Sequence, residues 1–391
     1  MKIKKRILAI TYNRSEYDLL SYVYKFLTED KHIDFQLLVA GAHLSSVFNN
    51  TIDHIKKDGH TILGEIECLI DGSSNKSRLI SASLFLSNSI SIISKFDPNI
   101  LIYAGDREEV LMGSILGGFL EIPTVHFFAG DHDNDGTIDN PIRHATSKMS
   151  SFLFTSIQEH YDRLINLGEN PARIFNIGSP ALDKFKLEKH NKISNILELK
   201  KEFDMNNYAI VIFHPLFSKE TKSLKDFDIL MRVLFENKIS CIINTPNIDA
   251  GSRNLINSFE KFKKVDFFKF VNNLSRNEFV NIYRQAKFQI GNSSSGILEA
   301  SSIPIPVVNV GDRMIGRKSQ KNVLFCKANK SEIISAIKKV ITKKFYYDNV
   351  KNIKNIYGNG DSSKKAYTIL KNLDVKNYAD FRKEDPLSKY I

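Results

Sequence analysis

The sequence predicts an α/β chain built from two doubly wound parallel-sheet domains. Strand-length apolar runs alternate with longer helical stretches, the rhythm of a parallel sheet buried on both faces. Near residues 179–207 this rhythm gives way to a stretch rich in Lys, Glu, Asn and Asp, then restarts, as at a crossover between domains. The 391 residues also exceed one ordinary core at about 150 residues per domain.

In the first half, the strand run 7–11 is followed by a helical stretch at 17–27. Residues 35–40 are followed by 46–57, and 100–104 by 109–120. Strands 124–128 and 152–155 come next, then a helix at 159–167. In the second half, strand 208–213 leads into helix 224–237, and 241–244 into 252–263. Strands are expected at 267–270, 288–290 and 306–310, and helices at 278–285 and 297–302. A basic helix follows Ser331, Tyr357-Gly358-Asn359-Gly360-Asp361 breaks it, and a last helix covers 363–372. The expected division is 1–185, 186–365, and a tail at 366–391 packing back on the first domain. In such sheets a ligand binds at the carboxyl ends of the strands, here in a cleft between the domains.

Composition narrows the partners. The net charge of +11 comes from dispersed lysines without an RNA-recognition or zinc-finger pattern, so no nucleic-acid partner is expected. No apolar run reaches about 18 residues, so no membrane partner is expected. The basic start lacks a following apolar leader core, which points to the cytoplasm. Cys68, Cys241 and Cys326 are spaced neither as a disulfide framework nor as zinc ligands.

Several strand ends carry chemistry. Arg14 lies where the first strand hands over to a helix, suited to forking onto a phosphate; Asn13 or Ser15 could simply cap that helix. Asp106, in Gly105-Asp106-Arg107, is either the N-cap of the next helix or an active-site carboxylate. His126 sits inside a strand run and reads as structural. The run from His126 to His144 holds Asp131, His132, Asp133, Asp135 and Asp139, long for a strand-to-helix loop. Neighbouring carboxylates can be pushed apart into an acid and a base. The alternatives are a solvated acidic loop or a cation site, and the spacing lacks the closing Glu of a calcium loop. His214 ends a strand in the second half, as a satisfied core residue or a phosphate contact. In Gly291-Asn292-Ser293-Ser294-Ser295-Gly296, small residues let amides and hydroxyls approach a phosphate where a helix begins. Glu299, one turn on, suits both hydroxyls of a ribose. With Arg14, His214, Arg313 and Arg317 the turn suggests a diphosphate site.

These motifs resemble the UDP-N-acetylglucosamine 2-epimerases, and more closely their hydrolysing branch in sialic-acid-type pathways. In order, they are Asn13-Arg14-Ser15-Glu16-Tyr17, Gly41-Ala42-His43-Leu44-Ser45, Gly105-Asp106-Arg107 and Gly130-Asp131. Then come Gly136-Thr137-Ile138-Asp139, Ile142-Arg143-His144 and Asn176-Ile177-Gly178-Ser179-Pro180. The second half adds His214-Pro215, the run from Pro246-Asn247 to Ser252, the Ser293–Ser295 turn with Glu299, and Ile315-Gly316-Arg317.

The resemblance implies two Rossmann-like domains with a central cleft, GT-B-like, the nucleotide lying mainly on the second. It implies anti elimination of UDP to a 2-acetamidoglucal, then hydration with inversion at C2, giving free sugar and UDP. No cofactor and no metal is implied. Asp106, Asp131, Asp139 and His214 become the catalytic expectation. Arg14, Ser293, Ser294, Ser295, Gly296, Glu299 and Arg317 become the nucleotide and phosphate set. Glu16, His43, Arg107, His132, Arg143 and Asn247 become the sugar-binding set. A homodimer or homotetramer is expected.

One departure stands out. Phe128 occupies a usual Glu or His position and Ala129 a usual Gly. A phenyl ring transfers no proton: either that group is dispensable here, or Asp131 and His132 take it over, or the substrate differs, an apolar wall suiting a 6-deoxy sugar such as UDP-2,4-diacetamido-2,4,6-trideoxyglucose of legionaminic-acid pathways. UDP-N-acetylglucosamine is placed first, from the family alone. The competing functions are a GT-B glycosyltransferase, which needs an acceptor, and a non-catalytic nucleotide-sugar binding protein.

Overall fold

A computed structural model describes residues 4–70, 72, 74–133, 138–214, 220–245, 258–272 and 274–386. The chain divides into two compact units, Met1–Asp183 with Gly360–Ile391, and Lys184–Asn359.

The first unit runs β1 (Lys5–Thr11), α1 (Arg14–Glu29), β2 (Ile33–Ala40), α2 (Ile52–Lys57), β3 (Ile62–Ile66) and α3 (Asn75–Phe96). It continues with β4 (Ile100–Ala104), α4 (Glu108–Phe119), β5 (Thr124–Phe127), α5 (Asp139–Met149), β6 (Phe152–Thr155), α6 (Gln158–Asn166) and β7 (Ile174–Asn176). The strands form one sheet in the order β3-β2-β1-β4-β5-β6-β7, every pairing parallel. Side chains alternate across β1. Ile7 and Ala9 join a core with Tyr17 and Leu20 of α1, while Leu8 and Ile10 join another with Phe85 of α3 and Val110 of α4. Helices therefore cover both faces, and each fully buried aliphatic side chain adds about 1.5–3 kcal/mol.

The second unit runs α7 (Lys184–Leu187), β8 (Tyr208–Ile212), α8 (Glu220–Glu236), β9 (Ser240–Asn244), β10 (Phe268–Val271) and α9 (Arg276–Gln285). Then follow β11 (Phe288–Gly291), α10 (Ser295–Leu298), β12 (Val307–Val310), β13 (Val323–Cys326), α11 (Lys330–Val340) and α12 (Lys343–Asn349). Its sheet order is β10-β9-β8-β11-β12-β13, again all parallel. The chain then returns to the first unit as α13 (Ser362–Asn372), whose Ala366 and Leu370 pack beside Tyr17 and Leu20. The Asp183 carboxylate accepts the amides of Ser362 (3.3 Å) and Ser363 (2.7 Å), fixing the start of α13.

Strand order reverses between β1 and β4 in one sheet and between β8 and β11 in the other. Ligands of open α/β sheets bind beyond the carboxyl ends at these points.

The elements not expected from the sequence include β3, α3, β7, β13 and the short α7. α5 begins at Asp139, inside the segment read as loop. The helix expected at 297–302 is α10 followed by a 3-10 turn at Ala300–Ser302. Part of the helix expected at 252–263 lies outside the described residues. α3 corrects the expectation about apolar length. It is long and apolar enough by composition to cross a membrane, yet it packs on β3 and α4 through Ala82, Phe85 and Ile93.

Candidate active site

The first unit gathers its polar groups beyond the ends of β4 and β5. Gly105, at φ 99°, turns the chain out of β4 into Asp106. The His126 ring donates from Nε2 to the Gly105 carbonyl (2.8 Å) and meets the Ser147 hydroxyl at Nδ1 (3.0 Å). Burial brings its pKa down to about 4, so the ring is neutral and serves to fix the exit of β4. Asp106 pairs with the Arg143 guanidinium, which is nearly fully buried and also donates to Asn140 (3.1 Å). Burial pushes the Asp106 carboxyl up; Arg143 opposes this, and the charges of Asp131 and Asp133 reinforce it.

Asp131 follows Gly130, itself at φ 76°. Its Oδ1 accepts the His132 amide (2.8 Å) and lies 3.1 Å from Nε2 of His160, a buried residue of α6. The rings of His132 and His144 stack at 5.6 Å, Nδ1 to Nε2 3.3 Å. Burial, then the neighbouring His132 and Arg143, hold His144 down at about 4. Asp139 is the first residue of α5, and its charge reaches Arg78, which is ion-paired with Glu108 at 2.6 Å.

The structure thus brings Asp106, Asp131, His132 and Arg143 together. It adds Asn140, His144 and His160, which sequence reasoning missed. Asn140 and His144 share a face of α5 at i, i+4 spacing, a signal open to a sequence reading. His160 carries none, because it comes from the helix after the next strand.

Other expected residues are placed differently. His43 is fully buried, its ring nitrogens 3.0 Å from the Thr11 hydroxyl and 2.8 Å from that of Thr51. It is a core residue, not a sugar contact, and burial drops its pKa to about 3. Glu16 is also buried, with one oxygen accepting the Tyr12 amide at 3.1 Å. Burial and then the nearby Glu109 carboxylate push Glu16 well above the usual carboxylate range, which makes it part of the interior. Arg14 opens α1 just after β1, its Nε 3.6 Å from Asp18, and Asn13 rather than Ser15 caps the helix. Arg107 is the exposed N-cap residue of α4, 3.4 Å from Glu109. Phe128 adopts φ 62°, rare for an aromatic residue, and packs part of its ring on the core.

In the second unit, His214 and Asn292 follow β8 and β11, the two strands at the order reversal. Asn292 accepts the His214 amide (2.7 Å) and donates to the His214 carbonyl (2.8 Å). Arg313 donates to the Asn292 carbonyl at 2.9 Å. Burial, with Arg313 adding, holds the His214 ring at about 4. Phe213, Asn292, Gly311, Asp312 and Arg313 line a small pocket there. The Ser295 hydroxyl turns inward, accepting from Gln289 (2.9 Å) and donating to Ser293 (3.0 Å). Gly296 has a packing reason: a Cβ there would meet Val307 at 2.8 Å. Ser294 is the N-cap residue of α10. Arg317 is half-buried on the turn after β12. Glu299 is paired with Lys184 at 2.7 Å, a contact unseen from sequence. Asn247 and the rest of the Pro246-to-Ser252 run, with Pro215, Gly136 and Thr137, lie outside the described residues.

Two reversed parallel sheets, each with its polar groups at the carboxyl ends beside the reversal, define a GT-B-type fold of two Rossmann-like units. Solved structures share it. The UDP-GlcNAc 2-epimerase of Methanocaldococcus jannaschii, in complex with UDP-GlcNAc and UDP, matches with TM-score 0.76 at 19% identity, over 93% of this chain and 99% of that one. The Neisseria meningitidis enzyme bound to UDP-GlcNAc matches with TM-score 0.76 at 18% identity, over 94% and 100%. The sequence model of the UDP-N-acetylglucosamine 2-epimerase family matches residues 25–371, and the chain belongs to that family. Among its relatives, the GDP/UDP-N,N'-diacetylbacillosamine 2-epimerase (hydrolyzing) of Campylobacter jejuni is 31% identical over 388 residues, 96% of this chain and 99% of that one. The UDP-N,N'-diacetylbacillosamine 2-epimerase (hydrolyzing) of Legionella pneumophila is 29% identical over 374 residues, 95% and 97%. The polysialic acid biosynthesis protein P7 of Escherichia coli is 30% identical over 383 residues, 96% and 97%.

Proposed function

We propose that this hydrolysing UDP-sugar 2-epimerase acts on UDP-N,N'-diacetylbacillosamine, the 2,4-diacetamido-6-deoxy nucleotide, ahead of UDP-N-acetylglucosamine. The order expected from sequence is reversed because two relatives are named for that sugar. The free 2-epimer would then supply a nonulosonic acid of the legionaminic type.

The observation that carries the catalytic reading is the convergence of Asp106 and Asp131 beside Arg143. The reaction needs a base for the weakly acidic C2 proton as the C1–O bond to UDP breaks. It then needs a proton delivered to the opposite face of C2 while water adds its oxygen at C1. Asp131, whose Oδ1 accepts an amide, is assigned the base. Asp106, pushed up by burial, is assigned the proton donor, with Asp139 supporting the pair. Ser293, Ser294, Arg317 and His214 are assigned to the diphosphate, with Arg14, and Glu299 to the ribose. The reading keeps the expected cytoplasmic setting and requires no metal.

It also includes a homodimer. Leu79, Ile80 and Ile90 of α3 are exposed apolar residues, and Phe119 of the adjoining α4 is 81% exposed. A second copy is the proposed cover, and light scattering of wild type against Leu79→Glu tests it.

Proton NMR in D2O with each UDP-sugar tests the function. UDP release without acceptor, with free 2-epimer deuterated at C2, supports it. Turnover only with an added acceptor would make the chain a glycosyltransferase; binding without turnover, a nucleotide-sugar binding protein. Faster turnover of UDP-N-acetylglucosamine would reverse the substrate order.

A further inference from the structure

α6 lies against the loop that carries Asp131 at three points. His160 Nε2 is 3.1 Å from Asp131 Oδ1. Arg163, three residues on and therefore on the same helix face, donates to the Gly130 carbonyl. Gly130 itself stands so close that a Cβ would lie 2.3 Å from the His160 carbonyl oxygen. The loop is thus seated on the helix backbone, and the His160 ring, only 4% exposed, is aimed at the carboxylate.

We propose that His160 is a positioning residue for Asp131, holding Oδ1 so that the carboxylate keeps one orientation toward the sugar. This inference rests on the reading of Asp131 as the base. Two donors reach the same oxygen, the His132 amide at 2.8 Å and the His160 ring. The amide belongs to the loop and moves with it; His160 belongs to a helix packed on β6 and β7 and ties the carboxylate to the sheet. Charged neighbours make the hold necessary. The Asp131 charge acts on Asp106, together with Arg143 and Asp133, and on His144, together with His132, Arg143 and Arg163. A carboxylate in that mixed field has several orientations of similar energy unless one is fixed. Misplacement by about 1 Å is enough to cost roughly 10²-fold in rate.

The test compares His160→Gln, which keeps an N–H donor near the position of Nε2, with His160→Phe, which keeps the ring volume and loses the donor. UDP release and deuterium at C2 are followed as functions of pH. Expected results are a kcat loss of roughly 10- to 100-fold for His160→Phe with KM nearly unchanged, and only a few-fold loss for His160→Gln. In an Asp131→Asn background, His160→Phe should cost nothing further, because the residue acts through that carboxylate. Normal kcat in His160→Phe, or an equal loss in both backgrounds, overturns the proposal. Should His160→Phe fail to fold, His160→Asn, too short to reach Asp131, takes its place in the same cycle. A wild-type protein that releases no UDP from any UDP-sugar defeats the functional reading. An active wild type indifferent to His160→Phe defeats this inference alone.

Discussion

Asn292 grips the backbone of His214 with both ends of its amide, accepting the N–H at 2.7 Å and donating to the carbonyl at 2.8 Å. The pair joins the ends of β8 and β11, so one side chain sets the spacing where the second sheet reverses. Gly291 makes the approach possible, since a Cβ there would sit 2.0 Å from the Ile212 carbonyl oxygen. Asn292→Ala should cost about 1–3 kcal/mol of stability in urea melts, from two part-buried backbone groups left unpaired. Asn292→Asp should cost more at neutral pH, because it sets a carboxylate oxygen against the His214 carbonyl. Equal melts for all three proteins would show that the bridge is incidental.

Asp106→Asn, Asp131→Asn and Asp139→Asn keep shape and remove proton transfer. At least two should lose about 10²-fold or more in turnover while binding UDP normally by calorimetry. The expectation is strongest for Asp106 and Asp131, which share a field with Arg143. Asp139 interacts with Arg78 at the start of α5 and is the candidate for the smallest loss. Near-normal rates in all three would leave the carboxylates without a catalytic role.

The strand ends were legible because fully buried strands read as unbroken apolar runs, as in Tyr208–Ile212. β3 was not, because Gly64 and Glu65 interrupt its short run. α3 was not, because its serines dilute the helical period over Asn75–Phe96. The carboxylates of the site could be named from motif order, whereas their partners could not. The Arg143 contact with Asp106, the His160 contact with Asp131 and the Lys184 contact with Glu299 each join segments apart in sequence. His43 misled for the opposite reason: a polar residue in a motif turned out to satisfy two buried threonines.

Glu299 and Lys184 should act together on UDP. Glu299→Ala should weaken UDP binding by about 1.5–3 kcal/mol, the worth of a hydrogen bond to a charged group. Lys184→Met should weaken it less, by releasing the Glu299 carboxylate from its 2.7 Å partner. The double variant should bind like Glu299→Ala alone. Strictly additive losses by calorimetry would mean that Lys184 contacts the nucleotide itself.

Turnover should survive EDTA. The acidic run around Asp131 lacks the spacing of a calcium loop, and the proposed proton transfers use carboxylates alone. Loss of activity on chelation, restored by magnesium or manganese, would require Asp131 and Asp133 to be read as ligands.

Glu16 and Glu109 give the pH dependence of stability a definite sign. Both carboxyls are buried, and desolvation raises both above the ordinary glutamate value, with the Glu109 charge adding to it at Glu16 and the Glu108 charge at Glu109. Arg107, 3.4 Å from Glu109 but exposed, offsets only part of this. A carboxyl raised on folding binds its proton more tightly in the native state than in the unfolded chain. Its contribution is therefore fully present below about pH 4.3, the unfolded value, and is lost as pH rises through the higher folded value. Glu109→Gln removes that loss. The melting temperature of the variant relative to wild type should climb as pH rises above the unfolded value and level off once the raised folded value is passed, with the smallest difference at the acid end. Glu16→Gln should show the same slope with a lower baseline, because the amide replaces a carboxylate that accepts the Tyr12 N–H at 3.1 Å. A difference that stays constant across the range would mean that both carboxylates are already ionised in the folded protein.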